Sequence, residues 1–273
     1  AARRAPQLGG WLTGEKRPTL KQLETFAKNT HTPFGFLFLS EPPDEPLPIP
    51  DMRTIGNAGV LRPSVDLLDT IYLCQRRQDW YHDYASDNGA ERLKFVGSAT
   101  LDAPPTQVAL DIAGRLDFGV EERQAFPDKG EARRGLIDRI ENIGVLVMVN
   151  GVVGADTHRR LDPAEFRGFA LSDPLAPLIF VNGADTKAAQ LFTLVHELAH
   201  IWLGHSALSE AAMDSRGGKA EEQWCNSVAA QVLLPLHDLR SDYGGQPTNE
   251  ELDHLAKRYR TSTLVVLKRI FDA

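Results

Sequence analysis

Three side chains inside an otherwise apolar run carry the first chemical signal. Residues Gln190 to Gly204 read QLFTLVHELAHIWLG, placing His196, Glu197 and His200 in an H-E-x-x-H pattern. An α-helix turns once every ~3.6 residues, so the imidazoles of His196 and His200 lie one above the other on the same face. Two stacked imidazoles make a two-point clamp for a divalent metal ion. Glu197 projects about 100° round the helix, a poor direction for a third ligand but a good one for taking a proton from a water at the metal. The plainer alternative is a pair of satisfied core histidines. Leu191, Phe192, Leu194, Val195, Leu198, Ala199, Ile201 and Trp202 leave this helix no polar face. Burying its polar side chains without partners costs roughly 1–3 kcal/mol for each unsatisfied group, and a bound cation removes that cost.

The neighbouring segments must position this helix and supply a third ligand. Val145–Val149 is a short β-branched run, and residues 166–172 and 178–182 have the length and composition of two more strands, joined by Asp173-Pro174 turn chemistry. Asp185 or Thr186 can cap the helix that follows. An exposed strand edge beside such a helix would let an extended peptide add as a further strand. Downstream, a metzincin needs Gly three and His six residues past the second His. Here Gly204 is four past and His205 five past, so His205 is expected to cap the helix or support a ligand rather than be one. The alternative ligand is a carboxylate on the helix expected over Lys219–Leu234, whose buried stripe is Cys225, Val228, Ala229, Val232 and Leu233. Glu221 and Glu222 flank the start of that stripe on opposite sides, and periodicity alone does not choose between them. Asn226, four residues beyond Glu222, is expected to hydrogen-bond a ligating histidine.

Composition sets the frame. The chain has 273 residues, 42% hydrophobic and 25% charged, ordinary values for a globular protein that can bury a real core. No apolar run approaches the ~18 residues of a membrane helix, and the start lacks a basic-then-apolar signal pattern, so a cytoplasmic protein without membrane partners is expected. The two cysteines, Cys74 and Cys225, lie in no C-x-x-C; each is expected to be a small core residue rather than part of a disulfide framework or a cysteine zinc site.

The net charge of −7 is uneven, because residues 1–40 carry six Lys or Arg against two Glu. Within them Thr19 is a candidate N-cap after Pro18, and Leu20, Leu23, Phe26 and Ala27 give a helix an inward face. The W-x-x-G and P-T-L-x-x-L patterns resemble the last helices of repressor-type helix-turn-helix domains. The supporting helices of such a domain are not all in the sequence, so DNA contact is expected only through a complete domain, and a small helical cap that packs on the body or on a second copy of the chain, as a homodimer, is the plainer expectation. Residues 41–50, EPPDEPLPIP, hold five prolines and are expected to form an extended linker. The organisation expected is therefore a helix-turn-helix remnant (1–40), the linker (41–50), a helical region (51–143), a core with the H-E-x-x-H and carboxylate helices (144–235) and a helical tail (236–273). Helices are expected over about Ser64–Asp87, Pro105–Leu116, Glu131–Glu141, Asn249–Tyr259 and Ser262–Phe271.

Across Leu178 to Pro235 the combination FTLVHELAHIWLGH and E-x-x-x-N-x-x-A-A-x-x-L-L-P resembles the ImmA/IrrE family of metallopeptidases. The resemblance implies an α+β, zincin-like core in which His196, His200 and Glu222 are the zinc ligands and Glu197 is the catalytic base. It also implies a cytosolic endopeptidase that cleaves a helix-turn-helix repressor and so releases stress, mobile-element or toxin-antitoxin genes. The competing expectation is a regulatory protein whose zinc site is structural or latent, binding a repressor or DNA without cutting. A further donor for the reaction's oxyanion would come from His158, His237 or Tyr243, with none singled out.

Overall fold

The computed structural model describes residues 6–41, 43, 46–51, 63–209 and 220–272. Arg3 and Arg4 of the basic end, Pro42, Asp44 and Glu45 of the linker, residues 52–62 and Lys219 lie outside the described residues. The described chain divides into two units, one running to Pro48 and including Pro63–Val65, the other taking the rest.

In the first unit, α1 (Leu8–Leu12) and α2 (Leu20–Thr30) precede a 3-10 turn at Phe34–Phe38. Thr19 closes a capping box: its hydroxyl accepts from Gln22 N–H while the Gln22 side chain accepts from Thr19 N–H. Trp11 sets its ring edge against Phe26, 6.0 Å between centroids, and Ala27 is buried. Leu20 departs from the expected inward face, remaining 60% exposed, because the five-residue α1 covers only the middle of α2.

The second unit is built on a four-stranded sheet of order β1-β5-β4-β6, made from β1 (Leu146–Asn150), β4 (Gly168–Leu171), β5 (Leu178–Asn182) and β6 (Ala207–Ser209). β1 runs parallel to β5, while β4 is antiparallel to both neighbours, with Gly168 opposite Val181 on one side and Ser209 on the other. A separate hairpin, β2 (Val152–Val153) with β3 (Asp156–Arg160), follows β1. The β6 side of the sheet is partly covered, while β1 forms the opposite edge. β6 covers β4, and beyond it Leu208 N–H donates to Pro50 C=O at 3.0 Å, with Asp51 bridging to Leu208. Unpaired strand edges leave backbone donors and acceptors seeking partners, and the end of the proline-rich stretch satisfies one of them.

Helices cover the sheet. In chain order they are α3 (Val65–Asp87), α4 (Pro105–Leu116), α5 (Val120–Gln124), α6 (Lys129–Asn142), α7 (Lys187–Leu203), α8 (Ala220–Leu233), α9 (Leu236–Asp242), α10 (Asn249–Arg258) and α11 (Thr263–Asp272). α7 is buried on every side after its first turn, against β4 and β5, α6 and α8, which is why it reads as apolar all round. The core joins Ile112 of α4 and Leu136 of α6 to Ile179 of β5, Leu194 and Leu198 of α7, and Cys225 and Val228 of α8. Cys74 and Cys225 are both buried and unpaired with each other. A second apolar cluster around Leu239, Leu255, Tyr259 and Val266 knits α9, α10 and α11 together. This mixture of helices with one small sheet is the α+β, zincin-like architecture.

Candidate metal centre

α7 begins where the Thr186 hydroxyl accepts from Ala189 N–H, and it ends at Gly204, whose left-handed φ of 75° turns the chain away. Between these caps the helix stacks His196 and His200, their Nε2 atoms 3.2 Å apart. α8 crosses α7 and brings in Glu222, which presents Oε2 to His196 Nε2 at 3.3 Å and Oε1 to His200 Nε2 at 3.2 Å. All three residues are buried, and their donor atoms lie within 4.8 Å of one another. These separations test whether an ion fits. A tetrahedral zinc with bonds of about 2.0 Å has ligand-to-ligand edges of about 3.3 Å. The contacts between donors match that edge, and two imidazoles with a carboxylate are the donor types such an ion takes. Without an ion, the facing Nε2 atoms compete for protons in a place water does not reach.

Glu197 lies beside this cluster, fully buried, with Oε1 lacking a hydrogen-bond partner among the described residues and Oε2 within 3.4 Å of Ser209 Oγ. Burial raises its pKa well above that of an ordinary carboxylate, the nearby Glu222 charge adding to the rise. Glu222 moves the other way: burial opposes its charge, but the imidazoles of His196 and His200 hold its pKa far below the usual range. Burial likewise disfavours charge on His200, yet contacts with Cys225, Glu221 and Glu222 raise its pKa well above the usual imidazole value. The centre thus pairs a proton-avid carboxyl with a carboxylate that stays ionised, two neighbouring acids driven apart by their surroundings.

A peptidase-family model, the IrrE N-terminal-like domain, matches residues 140–271. Over these residues the chain is similar to an IrrE-type peptidase domain. It is 34% identical over 123 residues to the radiation response metalloprotease IrrE of Deinococcus radiodurans, covering 42% of this chain and 36% of that protein. It is 31% identical over 136 residues to the radiation response metalloprotease IrrE of Deinococcus deserti, covering 43% of this chain and 47% of that protein. The chain therefore spans between about a third and a half of the length of these curated relatives. The matched stretch runs from the end of α6 into α11 and contains every residue of the cluster.

Within the matched stretch the other candidates take different places. His205 leaves the end of α7 half-exposed and lies 3.1 Å from Glu221 Oε2. Among the described residues Asn226 makes no hydrogen bond to either histidine, and its buried Oδ1 has no partner. The outer nitrogen of the His200 ring meets Glu221, whose Oε1 lies 3.0 Å from Nδ1. Ser209 was not legible either, yet its buried hydroxyl lies 3.3 Å from His200 Nε2 and 3.4 Å from Glu222 Oε1. Its strand has three residues, too short for an alternating pattern to show. Of the oxyanion candidates, His158 lies on the exposed strand β3, His237 pairs with Asp238 at the surface, and Tyr243 packs on the α9–α11 cluster.

Proposed function

We propose that the chain is a zinc-dependent endopeptidase of the cytoplasm in which His196, His200 and Glu222 hold the metal and Glu197 is the catalytic base, and that its substrate is a helix-turn-helix repressor. The observation that carries this reading is the buried, unpartnered Glu197 carboxylate oxygen beside a three-donor cluster. A purely structural metal site has no use for a base at that position. Zinc, when bound, polarises a substrate carbonyl and lowers the pKa of water from about 16 towards ~7. Glu197 accepts a proton from the attacking water as its oxygen adds to the peptide carbonyl. The carbon–nitrogen bond then breaks, and Glu197 passes the proton to the leaving amine. The Ser209 hydroxyl, 3.4 Å from Glu197 Oε2, donates to the carboxylate and holds its orientation.

The repressor as substrate is carried over from the family resemblance, and the helix-turn-helix-like pattern of residues 1–40 accords with a life among such regulators. The test is incubation of the zinc-loaded protein and its Glu197→Gln variant with a helix-turn-helix repressor encoded beside its gene. Cleavage by the parent and none by the variant is expected. Equal cleavage by both would remove Glu197 from the mechanism. Stable binding with no cleavage by either would favour a protein that sequesters the repressor.

A further inference from the structure

The two imidazoles of the centre are not held alike. His200 Nδ1, on the far side of the ring from the Nε2 that faces His196 and Glu222, meets Glu221 Oε1 at 3.0 Å. Glu221 in turn places Oε2 3.1 Å from His205 Nδ1. Among the described residues His196 has no such brace, for its Nδ1 is buried without a partner there. A neutral imidazole carries one proton, and an acceptor at Nδ1 keeps the proton there, leaving the Nε2 lone pair free to bind a metal.

The chain path explains how one carboxylate reaches both rings. Gly204 reverses the backbone at the end of α7, and His205 N–H donates to His200 C=O at 3.1 Å. That places the His205 ring over the first turn of α8, where Glu221 lies beside Glu222. Adjacent residues on a helix diverge by about 100°, so one glutamate meets the Nε2 side of His200 while its neighbour reaches the opposite edge of the same ring.

We infer that Glu221 is the positioning residue of the centre: it fixes the tautomer and orientation of the His200 ring, His205 steadies it from outside, and metal affinity depends on both. The inference rests on the zinc reading of His196, His200 and Glu222. Loss of a carboxylate partner of this type costs about 10–100-fold in metal affinity.

The experiment is competition for zinc against a chromophoric chelator, using the metal-stripped full chain and its Glu221→Ala, Glu221→Gln and His205→Ala variants. Glu221→Ala is expected to weaken zinc binding by about 10–100-fold. Glu221→Gln, which keeps an oxygen for the Nδ1 proton but loses the charge, and His205→Ala are expected to weaken it by smaller factors. With cobalt in place of zinc, the visible bands that report ligand geometry should shift in both Glu221 variants. They should not shift in Leu252→Ala, which loosens the remote α9–α11 cluster. Parent-like zinc affinity and cobalt bands in Glu221→Ala would overturn the inference and leave the metal centre standing. If that variant does not fold, parent-like values in Glu221→Gln and His205→Ala together would overturn it. Failure of the parent itself to bind zinc would overturn the zinc reading and this inference with it.

Discussion

Gly168 lies under Glu197 so closely that a methyl group on it would stand 2.9 Å from Glu197 Oε1. The same group would meet Thr193 Cγ2 at 2.6 Å and the Phe180 carbonyl oxygen at 2.8 Å. Backbone and a packed helix surround it, so little nearby can yield cheaply, and the Glu197 carboxylate is the group best able to move. Gly168→Ala is expected to lose about 1–3 kcal/mol of stability from overpacking. Activity should fall much further, about 100-fold, because a displacement near 1 Å can cost that much in a positioned reaction. Urea unfolding and peptidase assay of the same preparation check the two effects; full activity in Gly168→Ala would show that the base tolerates movement.

Removing the metal should weaken the whole second unit. α7 and α8 meet at His196, His200 and Glu222, and without an ion these buried polar groups face one another with unmatched protons and charge. A ligand that binds only the folded state at about 100 times its dissociation constant adds about 2.7 kcal/mol of stability. A strong chelator is therefore expected to lower the melting temperature of the parent and of Glu197→Gln alike, and to leave Glu222→Ala unmoved. Superimposable melting curves with and without chelator would count against a resident metal.

How much of this could be read from the residues depended on the length of the pattern each element carries. α7 and α8 are long and bury a continuous stripe, so their periodicity was plain, and Thr186, one of the two caps expected, starts α7. The stacking of His196 on His200 follows from helix geometry alone. Glu222 is different: residue spacing left it level with Glu221, and only the family resemblance chose it. What stayed hidden were contacts made by short or featureless pieces: three-residue β6 carrying Ser209, the hairpin β2–β3, and α9. Gly168 has no side chain to announce itself, and its importance comes from Thr193 and Glu197 on another element. The bracing of His200 by Glu221 was invisible for a related reason, since it depends on the chain reversal at Gly204 bringing His205 back over α8.

Acidity at one surface contact should tune stability in a predictable direction. His82 Nδ1 on α3 lies 3.0 Å from Asp173 Oδ1, the oxygen that also accepts from Leu175 N–H and Ala176 N–H in the turn before β5. The hydrogen bond to Asp173 and its charge raise the His82 pKa, helped by Asp83 and Asp79. Burial opposes ionisation of Asp173, but His82 and the two backbone donors outweigh it and lower its pKa. The raised His82 value stabilises the fold fully below about pH 6.5, the unfolded value, and that part is lost as pH rises through the folded value. The lowered Asp173 value stabilises above about pH 3.9 and is lost as pH falls through its folded value. Both contributions are complete only between those limits. His82→Ala is therefore expected to lower the melting temperature more at about pH 5.5 than at about pH 8.5. Scanning calorimetry at the two pH values checks it, and an equal deficit would show that the contact works by packing alone.

Arg123, by contrast, should contribute independently of pH across the neutral range while mattering more to the fold. It is buried, and its guanidinium donates to the carbonyls of Leu233 at 2.6 Å, Val232 at 3.2 Å and Tyr259 at 3.2 Å. Val232 and Leu233 end α8, where the last helical carbonyls lack partners within the helix. Arg123 therefore caps, from inside the protein, the helix that carries Glu222 and Glu221. Burial lowers its pKa to about 10, which still leaves it charged throughout the neutral range. Arg123→Met fills similar space with no donors and strands these carbonyls, at roughly 1–3 kcal/mol for each that water does not reach. The urea midpoint is expected to fall by the equivalent of about 3 kcal/mol, with the slope of the transition unchanged. Because the folded value lies well above the test range, that deficit should be the same at about pH 6 and about pH 8. A deficit that shrank between the two would mean that Arg123 is not acting as a fixed cation on the end of α8.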